Sequence, residues 1–196
     1  MEDGQEIIWQ DNISNVANYH SPINKLQFVQ SIKMVNIYPK VKESLEKSEY
    51  LIISPWDLYT STVCNLIIWS VKKLIKKSKA KIIYIANTTN KWWENKWLGI
   101  MDFVYVIEKY LWKKIDYLVV NNEKLLLSKE EELRLKTNIS VKWGSYIFLD
   151  FLDKKKLEAR GTKVIESKLL DRKSLYKHNS IKLAQIMLNI INKNYI

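Results

Sequence analysis

The side chains best suited to chemistry stand in two short segments, each directly after an apolar run. The first is Ser54-Pro55-Trp56-Asp57-Leu58-Tyr59-Thr60-Ser61, which offers hydroxyls, one carboxylate and the backbone amides of a turn. The second is Asn87-Thr88-Thr89-Asn90-Lys91-Trp92-Trp93-Glu94, rich in amide and hydroxyl groups. A strand-to-helix turn presents N–H groups and the positive end of a helix dipole, so an anion such as phosphate is what it could hold. Asp57 or Thr60 could equally cap the helix that follows, because caps use the same side chains. On the residues alone both uses stay open.

The elements that must position these segments alternate in type. Residues 32–38 are β-rich and end at Pro39, and 41–48 read as a short helix. Tyr50-Leu51-Ile52-Ile53 is an apolar run stopped by Ser54-Pro55, which suits a buried parallel strand. A helix is expected over 60–78, with Leu66, Ile67, Val71, Leu74 and Ile75 on one stripe. Then come a strand over 81–86, a polar loop over 87–98, a helix over 101–111 and a strand over 115–120. The last third is less regular: a charged helix over 128–136, short strands over 146–149 and 162–165 around a helix start at 154–156, and a closing amphipathic helix over 180–191. Repeated β-loop-α order predicts a Rossmann-like parallel α/β sheet flanked by helices. Ligands of such sheets sit beyond the carboxyl ends of the strands, where both segments lie.

Bulk properties remove several classes. A chain of 196 residues is one domain or a large piece of one. The net charge of +11 rests almost wholly on lysine, with only Arg134, Arg160 and Arg172 as arginines. Base and phosphate recognition favours the arginine fork, and no Arg-aromatic cluster or zinc-finger spacing occurs, which argues against nucleic acid. The single Cys64 excludes an internal disulfide and fits a reducing, cytoplasmic setting. No uncharged apolar run reaches the roughly 18 residues of a spanning helix, so no membrane insertion is expected. No His/Cys cluster has metal spacing.

Four segments, in order, carry a likeness to a known family. Glu2-Asp3-Gly4 is followed by Ile7, Trp9, Gln10, Asp11 and Ile13; the 54–61 segment is followed by Cys64-Asn65-Leu66-Ile67. Asn87 is followed by Trp93, Glu94, Asn95, Trp97 and Asp102, and His178-Asn179 by Lys182-Leu183-Ala184. The chain thereby resembles the gluconeogenesis factor and 2-phospho-L-lactate transferase family (YvcK/CofD), most closely its YvcK branch. That branch carries E-D-G-x-x-V-x-G-E-S-x-I, G-P-G-S-L-Y-T-S with a following P-N-L-L, N-x-M-T-x-x-G-E-T-x-G with a later D-H, and H-D/N-x-x-K-L-A. The chain departs from it at Phe103, where the family has His, at Gln10-Asp11 in place of Glu-Ser, and at Thr89-Asn90 in place of Met-Thr.

The resemblance implies a CofD-like fold of which residues 1–196 form a C-terminal portion of a single domain, without the family's glycine-rich N-terminal βα segment. It implies binding of a nucleotide sugar of the UDP-sugar type, with a regulatory role in growth on gluconeogenic carbon and in cell shape. The alternative it implies is a transferase moving a phospholactyl group onto a deazaflavin precursor, which would bring in a Mg-type divalent ion. By the match, the ligand-binding residues are Ser54, Pro55, Trp56, Asp57, Thr60 and Ser61, with Asn87, Glu94, Asp102 and His178 lining the same crevice. A homo-oligomer is compatible with such a chain.

The tryptophans stand out against this match. The chain has Trp 8 and Gly 4, where average usage would give about fourteen glycines. Trp9, Trp56, Trp93, Trp97 and Trp112 fall on family glycines, Trp69 lies one residue from one, and Trp92 and Trp143 are unassigned. The expectation is that these codons are UGA, read as glycine in the source and as tryptophan in this sequence; the alternative is a divergent family member that has lost its site.

Overall fold

The structure of the protein is a computed structural model that describes Gly4 and residues 6–8, 23–28, 35–126, 128–137 and 145–193. Four strands, β1 (Tyr50–Ile53), β2 (Lys81–Ile85), β3 (Tyr117–Asn121) and β4 (Lys163–Ser167), form one parallel sheet in the order β1-β2-β3-β4. The α/β expectation is met. β2 is buried from Ile82 to Ile85 and β3 from Leu118 to Asn121, so the central strands read as unbroken apolar runs.

Helix α1 (Pro39–Lys47) precedes β1. Residues 35–38 are not a strand; Tyr38 is extended and leads into α1, whose first turn tolerates Pro39 because the N–H that proline lacks would have no helical partner there. Residues 32–34 of the expected strand lie outside the described residues. Between β1 and β2 the single helix expected over 60–78 is three pieces. A wide π turn over Leu58–Val63 runs into one turn of helix, α2 (Cys64–Leu66), and α3 (Trp69–Lys77) follows. The break is at Ile68, whose ψ of 115° is extended; it allows Leu66 and Ile67 to be buried while α3 turns its lysines outward.

Loop residues 87–98 hold one helical turn, α4 (Trp92–Asn95), before α5 (Ile100–Leu111). After β3 come α6 (Lys129–Thr137) and α7 (Phe151–Ala159), and α8 (Ser180–Ile191) closes the described fold at its expected bounds. The expected strand over 146–149 is absent: Tyr146 makes one isolated antiparallel bridge, to Thr89.

Sequential strand order puts the crossover connections on one face of the sheet. There Leu58, Val63, Phe103, Val104, Ile107 and Leu157 pack on Ile82, Tyr84, Leu118 and Val120. The other face carries Ile83, Ile85, Val119 and Ile165, and α8 covers it with Ile186 and Ile190. Ile52 of edge strand β1 stays 44% exposed. Among the described residues no helix is long and apolar enough to cross a membrane.

The four tryptophans whose side chains are described do not build this core. Trp56, Trp69, Trp97 and Trp112 are all exposed. Trp112 ends α5 in the left-handed region, with φ 57° and ψ 26°, a conformation that favours glycine. Trp9 and Trp143 lie outside the described residues.

Candidate functional site

The segments after β1 and β2 meet beyond the carboxyl ends of their strands, and what joins them is Glu94. Its carboxylate is buried and accepts hydrogen bonds from the amides of Leu58 (3.0 Å), Tyr59 (3.1 Å) and Thr60 (2.9 Å) and from the Thr60 hydroxyl (3.0 Å). Asn95 Nδ2 adds a fifth donor at 3.0 Å. Burial pushes the Glu94 carboxyl above its usual range, and the Thr60 hydrogen bonds oppose that shift. An acid one turn into the second loop therefore caps the helical turn of the first. It fills the place at that N-terminus where an anion would sit.

A crevice of about 470 Å³ opens beside this junction. Pro55, Trp56 and Asp57 line it from the first loop, and Asn87, Thr88, Thr89 and Lys91 from the second. Tyr176, Lys177 and His178, with Leu183 of α8, form the remaining wall. Asp57 and Lys91 form a half-buried ion pair across the two loops. Asn87 donates to the Trp56 carbonyl at 3.0 Å and accepts from the Tyr84 hydroxyl at 3.3 Å, which ties the first loop to β2.

The third wall is held as firmly. Leu170 and His178 form an antiparallel bridge, and the Asp171 amide donates to the Lys177 carbonyl at 2.8 Å. The Thr88 hydroxyl donates to the Tyr176 carbonyl and the Tyr146 hydroxyl to that of Leu175. Leu175 sits at φ 64° inside this loop, a strained setting for a branched side chain. His178 hydrogen-bonds the Ala86 backbone, while its Nε2 is buried without a partner in the structure. Burial pushes the imidazole down to about 4, so near neutral pH it is uncharged and Nε2 offers a lone pair.

Of the ten residues expected to contact ligand, the structure gathers Pro55, Trp56, Asp57, Asn87 and His178 at the crevice. Ser54, Thr60, Ser61, Glu94 and Asp102 do not line it. Thr60 and Glu94 are turned to each other, the Ser61 carbonyl accepts from Asn65 at 2.6 Å, and Asp102 caps α5 through the Gly99 amide at 2.9 Å. Lys91, Thr88, Thr89, Tyr176, Lys177 and Leu183 line the crevice without standing among those ten. The signal for Lys91 was its place inside the second loop; Tyr176 and Lys177 directly precede the His178-Asn179 motif.

Comparison with known proteins agrees with this architecture. The family model described as 2-phospho-L-lactate transferase CofD matches residues 1–170. A Thermotoga maritima protein named "Putative gluconeogenesis factor" is 30% identical over 95% of this chain and 56% of its own length. A Clostridium acetobutylicum protein of the same name is 25% identical over 97% of this chain and 41% of its own. The crystal structure of a Bacillus halodurans protein superposes with a TM-score of 0.78 at 23% identity, covering 96% of this chain and 57% of that one. A second structure of that protein, described as a member of the upf0052 family, gives 0.78 at 22% identity. The chain thus spans about half the length of the relatives it matches.

Proposed function

The chain belongs to the CofD family, and from that premise we propose that it binds a nucleotide sugar in the crevice between the 54–61, 87–94 and 176–178 segments. The role is that of a cytoplasmic gluconeogenesis and cell-shape factor, regulatory rather than catalytic. The observation that carries this reading is the crevice itself. At about 470 Å³ it falls within the usual range for a small-molecule site. Its wall combines one ion pair, an amide fixed in place and an imidazole whose Nε2 has no protein partner. Such a lone pair asks for a hydrogen-bond donor from a ligand, and a sugar hydroxyl supplies one.

Transfer of a phospholactyl group, the activity in the family's description, is the rival. It calls for a Mg-type ion held by carboxylates and phosphate. Asp57 is the crevice's one carboxylate and is engaged by Lys91, and no group of three His, Cys, Asp or Glu side chains stands together among the described residues. These residues do not fit a protein-held ion.

Calorimetric titration with UDP-glucose and UDP-N-acetylglucosamine tests the reading. Saturable one-site binding is expected, with both ligands recovered intact by chromatography after incubation. No heat at millimolar ligand, or release of UDP, would falsify it.

A further inference from the structure

The hydrogen bonds and ion pairs around the crevice narrow where a ligand's negative charge can go. The amides of Trp56 and of residues 58–62 all have protein acceptors: the Ser54 carbonyl, the Glu94 carboxylate and the Asp57 carbonyl. The amides of that helical turn are therefore already engaged, and the Glu94 carboxyl holds the place beneath them where a phosphate would otherwise sit. His178 lines the crevice uncharged, so it brings no positive charge to an anion. Lys91 is committed to Asp57.

One cation remains on the wall. Lys177 is exposed and has no ion pair among the described residues; its ammonium lies 5.8 Å from the Tyr176 ring centroid. Its backbone is nonetheless fixed, by the Asp171 amide on its carbonyl at 2.8 Å and by its own amide donating to Ser174 Oγ at 3.2 Å. A long cationic side chain on a fixed base at a crevice rim can close over a phosphate without disturbing the fold.

We infer that Lys177 receives the phosphate of the ligand, whose hydroxyl-bearing end is turned to the partnerless Nε2 of His178. This rests on the nucleotide-sugar reading above and adds to it an orientation and the residue that selects for charge. The phosphate lies at the rim on the 171–177 loop, not in the turn after β1.

Calorimetry of the chain, Lys177→Gln and Lys177→Arg with UDP-glucose, each at low and raised KCl, separates the possibilities. Lys177→Gln is expected to weaken UDP-glucose roughly tenfold and to flatten the salt dependence, the loss of one charge-assisted hydrogen bond. Lys177→Arg is expected to restore affinity to within about threefold, because it keeps the charge. Urea midpoints of both variants should match the parent, since the side chain is exposed and unpaired. Unchanged affinity in Lys177→Gln overturns the inference while leaving nucleotide-sugar binding in place. So does an equal loss in both variants with an unaltered salt dependence, which marks a role in loop structure. Failure of the unsubstituted chain to bind UDP-glucose overturns both this inference and the function it rests on.

Discussion

Replacing Trp112 by glycine and, separately, by alanine isolates a strain that the backbone records at one position. At φ 57° and ψ 26° the residue ends α5 in the left-handed region, which costs a non-glycine L-residue roughly 1–2 kcal/mol. Its indole offsets part of this. The ring meets Trp69 edge-on at 5.0 Å, a contact worth about 0.5–1.5 kcal/mol. Lys72 and Lys76 lie over it at 5.3 and 5.7 Å, about 0.5 kcal/mol each at an exposed site. Alanine loses these contacts and keeps the strain, so Trp112→Ala should cost about 2 kcal/mol. Glycine loses the same contacts and removes the strain, so Trp112→Gly should stay within about 1 kcal/mol of the parent. Because the lost contacts are common to both variants, their difference reads the backbone alone. Glycine should be the more stable by roughly 1 kcal/mol, about 0.5 M in urea midpoint for a typical small-domain slope. Far-UV circular dichroism is the probe, since removing an indole alters the fluorescence baseline. Alanine as stable as glycine would refute the assignment of strain at this residue.

Three further outcomes are expected. The genomic codons at Trp56, Trp93 and Trp112 should be UGA; a UGG at Trp56 or Trp93 sinks the recoding idea. Glu94→Gln should cost about 2–3 kcal/mol in urea unfolding, because the new amide nitrogen must face N–H donors on one side or the other of the buried junction. A cost under about 0.5 kcal/mol would show that the five hydrogen bonds do not depend on the carboxylate. His178 should make stability fall on acidification. Its folded value of about 4 lies below the unfolded value near 6.5, so the unfolded chain takes up the proton first. The contribution is complete above pH ~6.5 and is lost as the pH falls toward about 4, reaching about 2 kcal/mol by pH ~5. The raised Glu94 carboxyl acts with the opposite sign, so the comparison is between the parent and His178→Asn. Parallel pH profiles for the two would refute it.

What the sequence disclosed followed local pattern, and what it concealed followed contacts between distant residues. β1 and α8 were legible to the residue, because an apolar run stopped by Ser54-Pro55 and a capped amphipathic stretch after Asn179 both end in local chemistry. The helix expected over 60–78 was not, because an acid some 35 positions downstream draws three successive amides onto one carboxylate at its start. Residues 146–149 have strand-like composition but only a loop to pair with. At the site, Asp57 and Asn87 were visible as polar residues directly after strands. His178 was visible only through the family motif. Lys91 stood inside the second polar loop and Lys177 next to the His178 motif, but among the chain's 32 basic residues neither differed in type from its neighbours.

Helix α8 does two jobs at once. α8 covers the second face of the sheet with Ile186 and Ile190, and one turn earlier its Leu183 closes a wall of the crevice. It also follows every strand among the described residues, so during synthesis these strands leave the ribosome before the second face has a cover. Until α8 docks, the nascent chain has bare Ile83, Ile85 and Val119 and an open-sided crevice. The wall that Leu183 supplies is therefore set only once α8 has docked on the sheet.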